Sequence, residues 1–259
     1  MERSLFFFDI DGTLASGTHV SDEVRKALAE LRANGHSAFI CTGRSYSYAA
    51  KYFGNLVDGF LCNNGRMGIL NGEVIWKQPL DYEGLADLRA RMDELGLSYM
   101  FFSADHGYFF GDEDLFEPTA KLWQPGFLVP GDTYNGEELY NFDIAYTDRE
   151  AYDTFEKESK GRLILNDHYP HPSCDVTIAG CDKSDAMLAV SGQLGVPISH
   201  VYAFGDGDND VSMLKKAGTG VAMGNGTAAA KAAGDYLTDT IDNDGVARAL
   251  EHFGFIEKA

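Results

Sequence analysis

Short apolar runs alternate with helical patterns in the first third of the chain. Leu5–Ile10, Ser37–Cys41 and Phe60–Cys62 are short and almost continuously apolar, as strands buried on both faces are. Helical spacing of apolar residues follows the first run from Ser21 to Gly35, and a second helix is predicted over Ser45–Phe53. This region is therefore predicted to form repeated strand–helix units.

The last third of the chain repeats this alternation. His200–Phe204 and Gly220–Met223 are predicted strands. Helices are predicted over Asp185–Leu194, Ala229–Ala233 and Val246–Phe253. Strands that alternate with helices indicate an α/β fold with a parallel sheet covered on both faces.

The middle of the chain has a different pattern. Two amphipathic helices and four strands are predicted there, at Leu85–Leu95, Ala151–Lys160, Tyr99–Phe102, Tyr108–Phe110, Phe142–Tyr146 and Leu163–Asn166. This α+β composition predicts a second domain over residues 80–181, inserted into an α/β domain that comprises residues 1–79 and 182–259.

Composition and charge limit the possible partners. The 259 residues include 21 Lys+Arg and 40 Asp+Glu, a formal net charge of −19. Such a chain is not expected to bind nucleic acid or an anionic membrane, because both need clustered basic residues. The apolar run near the start is too short for a signal-peptide core, and the four cysteines have no zinc-ligand spacing. We therefore expect a cytoplasmic protein.

The first candidate site follows the first strand. Asp9 and Asp11 are two positions apart, so on an extended chain they face one side. Ligands of α/β sheets bind outside the carboxyl ends of the strands. Gly12 permits a tight turn there. The alternative is a strand end capped by the two carboxylates in Asx turns.

A second acidic motif follows the strand at His200–Phe204. Asp206, Asp208 and Asp210 lie within five residues. If this strand lies beside the first, the repulsion between the carboxylates favours a bound cation. Oxygen ligands without nearby histidine or cysteine favour Mg²⁺ over zinc. Calcium is the weaker alternative, because position 12 of a loop counted from Asp206 is Ala217 instead of glutamate.

Two further elements suit an anionic ligand. Thr42, Gly43 and Arg44 end the second strand with a hydroxyl, a flexible glycine amide and a guanidinium. Lys183 lies at the start of a predicted helix, where the helix dipole disfavours a cation. The alternative interpretation of Lys183 is a surface lysine neutralised by Asp182 and Asp185.

Four motifs together resemble those of the haloacid dehalogenase superfamily. They are Asp9-Ile10-Asp11-Gly12-Thr13, Thr42-Gly43-Arg44, Lys183 and Gly205-Asp206-Gly207-Asp208-Asn209-Asp210. The order of the motifs and the inserted domain resemble the Cof-type (subfamily IIB), sugar-phosphatase-like members, and Asn64-Gly65 is similar to a further feature of that subgroup. The resemblance implies a Rossmann-like parallel-sheet core and an α+β cap that sets substrate specificity.

The resemblance also implies roles for individual residues. Asp9 would be the nucleophile that forms an aspartyl-phosphate, and Asp11 would be the general acid and base. The phosphoryl group would be bound by Ile10, Thr42, Gly43, Arg44, Lys183 and Asn209. Mg²⁺ would be bound by Asp9, Asp11 through its carbonyl, Asp206 and Asp210. Lys183 is followed by Ser184, where many relatives have glycine. Asp208 occupies a variable position and is left out of the site.

The predicted function is Mg²⁺-dependent hydrolysis of a small phosphorylated metabolite, such as a sugar phosphate. The alternatives are a sugar phosphomutase and a non-enzymatic phosphoacceptor module. The sequence does not indicate an oligomeric state. Polar and aromatic residues of the cap that could contact a sugar are Trp123, Tyr108, His168, His171 and Asp143. Because each is more typical of a core or a surface loop, none is placed in the site.

Overall fold

Two compact units make up the protein in a computed structural model that describes residues 2–121, 125–178 and 182–257. The first, the core unit, comprises Met1–Arg44, Ala49–Lys77 and Asp182–Ala259. The second, the inserted unit, comprises Ser45–Tyr48 and Gln78–Cys181. Trp123 and Cys181 lie outside the described residues.

The core unit contains an eight-stranded sheet. Its strands are β1 (Leu5–Phe8), β2 (Ser37–Cys41), β3 (Gly59–Cys62), β4 (Met67–Leu70), β5 (Glu73–Lys77), β12 (Val201–Gly205), β13 (Thr219–Ala222) and β14 (Tyr236–Leu237). The strand order is β14-β13-β12-β1-β2-β3-β4-β5. The pairs from β14 to β3 are parallel, whereas β4 pairs antiparallel with β3 and with β5. Strands β1 and β12 are therefore neighbours, although 190 or more residues separate them.

Helices cover this sheet on both faces because its central strands are almost entirely apolar. The helices in this part of the chain are α1 (Asp22–Ala33), α2 (Tyr46–Phe53), α6 (Lys183–Gln193), α7 (Val211–Lys216), α8 (Ala228–Ala233) and α9 (Gly245–His252). Phe7 packs in a buried cluster with Met187 of α6 and Leu214 of α7. Its neighbour Phe6 points to the other face, where it meets Phe255 beyond α9.

The inserted unit is built on a six-stranded sheet. Its elements are β6 (Ser98–Phe102), β7 (Gly107–Phe110), β8 (Leu128–Pro130), β9 (Asn141–Ala145), β10 (Leu163–Asp167), β11 (Ser173–Ile178), α3 (Ala86–Glu94), α4 (Glu113–Ala120) and α5 (Arg149–Ser159). The strand order is β10-β11-β9-β6-β7-β8, antiparallel except for β7 with β8. Phe101 packs with residues of α3 and α5, and Phe102 packs near Phe116 of α4.

The predicted fold class, an α/β core with a parallel sheet and an inserted α+β segment, is confirmed. Several details of the structure differ from the prediction. The antiparallel hairpin of β4 and β5 was not expected. The strand predicted over Leu5–Ile10 ends at Phe8, because the Ile10 carbonyl closes a turn instead of continuing the ladder.

None of the described helices is long and apolar enough to cross a membrane. Cys41, Cys62 and Cys174 are buried free thiols.

Candidate active site

A tight turn follows β1 and carries the first acidic motif. The amide of Asp9 donates to the carbonyl of Phe204 at 3.0 Å, which fixes the turn to β12. The Ile10 carbonyl then accepts the amides of Thr13, Leu14 and Ala15, at 3.2, 3.0 and 2.8 Å. The turn holds Asp9 and Asp11 at the carboxyl edge of the sheet, although neither lies within the strand.

Gly12 is the point at which this turn approaches the second acidic motif. Its φ is +85°, and a Cβ there would lie 2.3 Å from Oδ2 of Asp206. The hydroxyl of Thr13 donates to Oδ1 of the same carboxylate at 2.9 Å. Because Gly12 has no side chain, the Asp206 carboxylate can pack directly against the turn that holds Asp9 and Asp11.

Lys183 lies buried between two carboxylates from different strand ends. Its Nζ is 2.6 Å from Oδ1 of Asp9 and 2.7 Å from Oδ1 of Asp210. The exposed fractions of these side chains are 1%, 10% and 0%. Lys183 is thus fixed inside the acidic cluster, and the alternative interpretation as a surface lysine is excluded.

The start of α6 explains how a lysine is tolerated in the first turn of a helix. Asp182 is the N-cap: its Oδ1 accepts the amides of Ser184 and Asp185, at 2.8 and 3.3 Å. Asp185 completes a capping box by accepting the Asp182 amide at 3.2 Å. The helix was predicted to begin at Asp185, but this cap starts it at Lys183.

Asp210 supports the loop after β12 as well as binding Lys183. Its Oδ2 accepts the amides of Asp206 and Gly207, both at 3.0 Å. A Cβ on Gly205 would lie 2.4 Å from the Asp210 Cβ, so the loop closes tightly over this side chain. The arrangement fixes Asp206 relative to Asp210.

This cluster contains three carboxylates, of Asp9, Asp206 and Asp210, and one cation, Lys183. Burial raises the pKa of Asp9 above its ordinary value; Lys183 opposes the shift, and Asp210 adds to it. Burial likewise raises the pKa of Asp206, against the Thr13 hydrogen bond. Burial alone would lower the pKa of Lys183, but Asp210 and Asp9 raise it. A further cation beside these carboxylates would favour their ionised forms.

The donor set fits a hard divalent cation. Carboxylate oxygens of Asp9, Asp206 and Asp210 lie within 4.8 Å of one another. Ligand sets made only of oxygen atoms are typical of magnesium sites. The Asp11 carboxylate is not in the group. It accepts Nε and Nη2 of Arg44 at 3.0 and 3.3 Å instead.

The loop after β2 lies next to this turn and offers groups suited to an anion. The Thr42 hydroxyl, in a side chain that is 1% exposed, accepts the Arg44 amide at 3.1 Å. Within the described residues, the amides of Ile10, Asp11 and Gly43 have no assigned hydrogen-bond acceptor. Unpaired amides close to a guanidinium are a typical environment for phosphate oxygens.

The residues predicted from the four motifs are all placed in the core unit. Lys183 contacts Asp9 and Asp210, Asp206 joins them, and Arg44 contacts Asp11. Asn209 lies between Asp206 and Asp210 and is half-buried, without a side-chain hydrogen bond among the described residues. Asp208, which was left out, is exposed and accepts the Thr227 hydroxyl.

Sequence reasoning missed two residues that support the cluster. Thr13 was seen as part of a motif, but its bond to Asp206 spans 193 positions and could not be predicted from spacing. Asn225 donates to the Gly12 carbonyl at 2.8 Å and accepts the Ile241 amide at 2.9 Å. Its position in a glycine-rich loop directly after β13, at the same edge of the sheet as the acidic motifs, could have indicated a place near the site.

An α/β core with an acidic cluster at the carboxyl edge of its sheet is typical of a class of enzyme, and comparison with known sequences identifies that class. The profile of the family described as haloacid dehalogenase-like hydrolase matches residues 6–250, and the chain belongs to this family. The protein is therefore an enzyme of the hydrolase class.

Individual relatives align over nearly the whole chain. YkrA of Bacillus subtilis (strain 168) is 30% identical over 269 residues, which cover 99% of this chain and 100% of YkrA. YcsE of the same organism, a 5-amino-6-(5-phospho-D-ribitylamino)uracil phosphatase, is 30% identical over 98% of this chain and 96% of its own. The solved structure of the subclass IIB sugar phosphatase BT4131 has a TM-score of 0.80 and 29% identity, over 98% of this chain and 100% of that one.

Proposed function

We propose that the protein is a Mg²⁺-dependent phosphatase that hydrolyses a small phosphorylated metabolite, such as a sugar phosphate, through an aspartyl-phosphate. The observation that supports this most strongly is the cluster of buried Asp9, Asp210 and Lys183 with half-buried Asp206, beside a turn whose amides have no acceptor among the described residues. Relatives named as phosphatases of a phosphoribityl compound and of sugars support the substrate class. We expect the inserted domain predicted over residues 80–181 to select among substrates.

The first half-reaction transfers the phosphoryl group to Asp9. A carboxylate oxygen of Asp9 attacks phosphorus, and the bond from phosphorus to the leaving alcohol breaks. Asp11 gives a proton to the alcohol oxygen. The amides of Ile10 and Gly43, the Thr42 hydroxyl and Arg44 hold the phosphoryl oxygens.

The second half-reaction releases phosphate. Asp11, now ionised, takes a proton from water, and the water oxygen bonds to phosphorus while the bond to Asp9 breaks. Lys183 keeps Asp9 oriented in both steps, and Asn209 contacts the phosphoryl group or Lys183. Asp9, Asp206, Asp210 and the Asp11 carbonyl would hold Mg²⁺, which supplies charge stabilisation for the transferred group.

The test is phosphate release from a panel of sugar phosphates, a phosphoribityl compound and nucleotides, with Mg²⁺ and with EDTA. We expect stoichiometric phosphate with Mg²⁺, and turnover lost in EDTA and in Asp9→Asn and Asp11→Asn. Asp208→Asn is the matched control in the same loop, and it should keep its activity. Isomerised sugar phosphate without free phosphate would favour a phosphomutase. A stable phosphoprotein without turnover would favour a phosphoacceptor module. Restoration by zinc alone would contradict the magnesium assignment.

A further inference from the structure

The loop after β3 has an unusual backbone. Asn63, Asn64 and Gly65 are three consecutive residues with positive φ, at 53°, 55° and 87°. Left-handed conformations are unfavourable for residues with a side chain, although asparagine tolerates them better than most. Strained backbone that the surrounding structure maintains is often found at functional sites. The left-handed conformations of Asn63 and Asn64 are therefore maintained by the contacts of this loop.

One side of the loop holds the predicted phosphate-binding segment. The amide of Asn64 donates to the Thr42 carbonyl at 3.0 Å, and that of Asn63 donates to the Arg44 carbonyl at 3.0 Å. The Asn64 side chain lies against Gly43, where a Cβ would be 3.1 Å from its Oδ1. The carboxamide thus borders the glycine whose amide has no assigned acceptor.

The other side of the loop packs against the start of α6. A Cβ on Gly65 would lie 2.8 Å from the Asp182 carbonyl and 3.1 Å from Cα of Lys183. The loop is therefore fixed between the phosphate-binding segment and the lysine that contacts Asp9.

The Asn64 carboxamide has unused hydrogen-bonding capacity in this position. The residue is 4% exposed, and within the described ranges its Oδ1 has no hydrogen-bond partner. Its Nδ2 has no partner among the described residues either. Buried polar groups nearly always bond to protein, water or a ligand. Both carboxamide atoms of Asn63 are buried without a partner among the described residues, whereas for Asn64 this holds only for Oδ1, so Nδ2 of Asn64 is the more accessible donor.

We propose that Asn64 is a further phosphoryl-binding residue, whose Nδ2 donates to a non-bridging oxygen of the group held by Thr42 and Gly43. This inference rests on the proposed phosphatase function. The ligand class is a tetrahedral oxyanion or its transition-state analogue. The strained loop then serves to present this carboxamide beside Gly43.

Asn64→Gly tests the proposal, because glycine adopts positive φ without strain, so the fold is preserved while the carboxamide is removed. The matched control is Asn71→Gly, at an exposed turn between β4 and β5 where φ is 52°. The readouts are KM, inhibition by orthovanadate, the Mg²⁺ activation constant and the midpoint of thermal unfolding.

We expect Asn64→Gly to raise KM and the vanadate inhibition constant about 10- to 100-fold, as for loss of one hydrogen bond to a charged group. Its Mg²⁺ activation constant and unfolding midpoint should not deteriorate, and Asn71→Gly should match the wild type throughout. Asn64→Asp, which replaces the donor by a carboxylate, should bind vanadate still more weakly.

Unchanged vanadate inhibition in a stable, active Asn64→Gly protein would overturn the role of Asn64 while leaving the proposed function intact. Absence of turnover in the wild type would instead count against the proposed function. In that case calorimetric binding of vanadate to wild type and Asn64→Gly decides the inference: equal affinities, or no binding by the wild type, overturn it.

Discussion

Replacing Lys183 by methionine would remove a buried cation and leave two carboxylates facing each other. In the wild type its Nζ lies 2.6 Å from Asp9 and 2.7 Å from Asp210, and the side chains of Lys183 and Asp210 are 1% and 0% exposed. Methionine keeps most of the volume, so the substitution tests charge and hydrogen bonding more than packing. We expect it to destabilise the protein strongly.

The magnitude follows from the burial. Removing one partner of a buried ion pair costs about 3–5 kcal/mol of unfolding free energy. Asp210 and Asp9 raise the pKa of Lys183 more than burial lowers it, so its contribution is fully present below the ordinary lysine pKa of 10.5 and is lost only as the pH rises beyond it. The exposed pair of Lys26 and Glu23 has a similar separation of 2.7 Å. Because this pair is exposed to solvent, Lys26→Met should leave the free energy of unfolding almost unchanged.

The assay is urea unfolding at neutral pH in EDTA, with the wild type, Lys183→Met and Lys26→Met compared in parallel. We expect the urea midpoint of Lys183→Met to lie well below those of the wild type and Lys26→Met, which should be nearly equal. A loss for Lys183→Met below about 1 kcal/mol, the range of surface pairs, would refute the reasoning that burial makes this pair costly to break.

Three further predictions concern neighbouring features. Thr13→Val removes the hydrogen bond to Asp206 and should raise the Mg²⁺ activation constant about 10- to 100-fold, measured by titrating Mg²⁺ against phosphate release; an unchanged constant would contradict it. Gly12→Ala places a Cβ 2.3 Å from that carboxylate and should abolish turnover, whereas Gly17→Ala, with φ of +62° and nothing within 4 Å, should remain active; similar activity of the two variants would be the adverse result. Burial lowers the pKa of His36 below 6.5, so the unfolded state takes up a proton and the free energy of unfolding falls as the pH drops through 6.5 towards the folded-state pKa. In urea unfolding, His36→Gln should therefore show a weaker dependence of stability on pH than the wild type. Equal dependence in the two proteins would contradict this.

Much of the core sheet was predictable because its strands are buried on both faces. Continuous apolar runs placed β2 at Ser37–Cys41 without error. The hairpin of β4 and β5 was missed because its second strand, Glu73–Lys77, is mostly exposed and carries charge at both ends. The start of α6 was misplaced because the capping box of Asp182 and Asp185 was not recognised, although its spacing is visible in the sequence.

Each acidic motif could be predicted from the sequence, but the hydrogen bonds and ion pairs between the motifs could not. The placement of Asp9 and Asp206 followed from strand ends, since neighbouring parallel strands end at one edge of a sheet. The bond from Thr13 to Asp206 and the contact of Arg44 with Asp11 depend on side-chain directions in loops, which no periodicity encodes. The limits of the inserted domain and the roles of individual residues remain predictions.

The most direct test of the proposed mechanism is to identify the phosphorylated residue. Enzyme is mixed with Mg²⁺ and an aryl phosphate, whose leaving group needs no proton from Asp11, so that Asp11→Asn slows only the second half-reaction. The mixture is quenched in acid, digested and analysed by mass spectrometry. The account predicts one phosphoryl group on Asp9, accumulating in Asp11→Asn and absent from Asp9→Asn. Phosphate release without a phosphoryl group on Asp9, or a phosphoryl group on another residue, would contradict it.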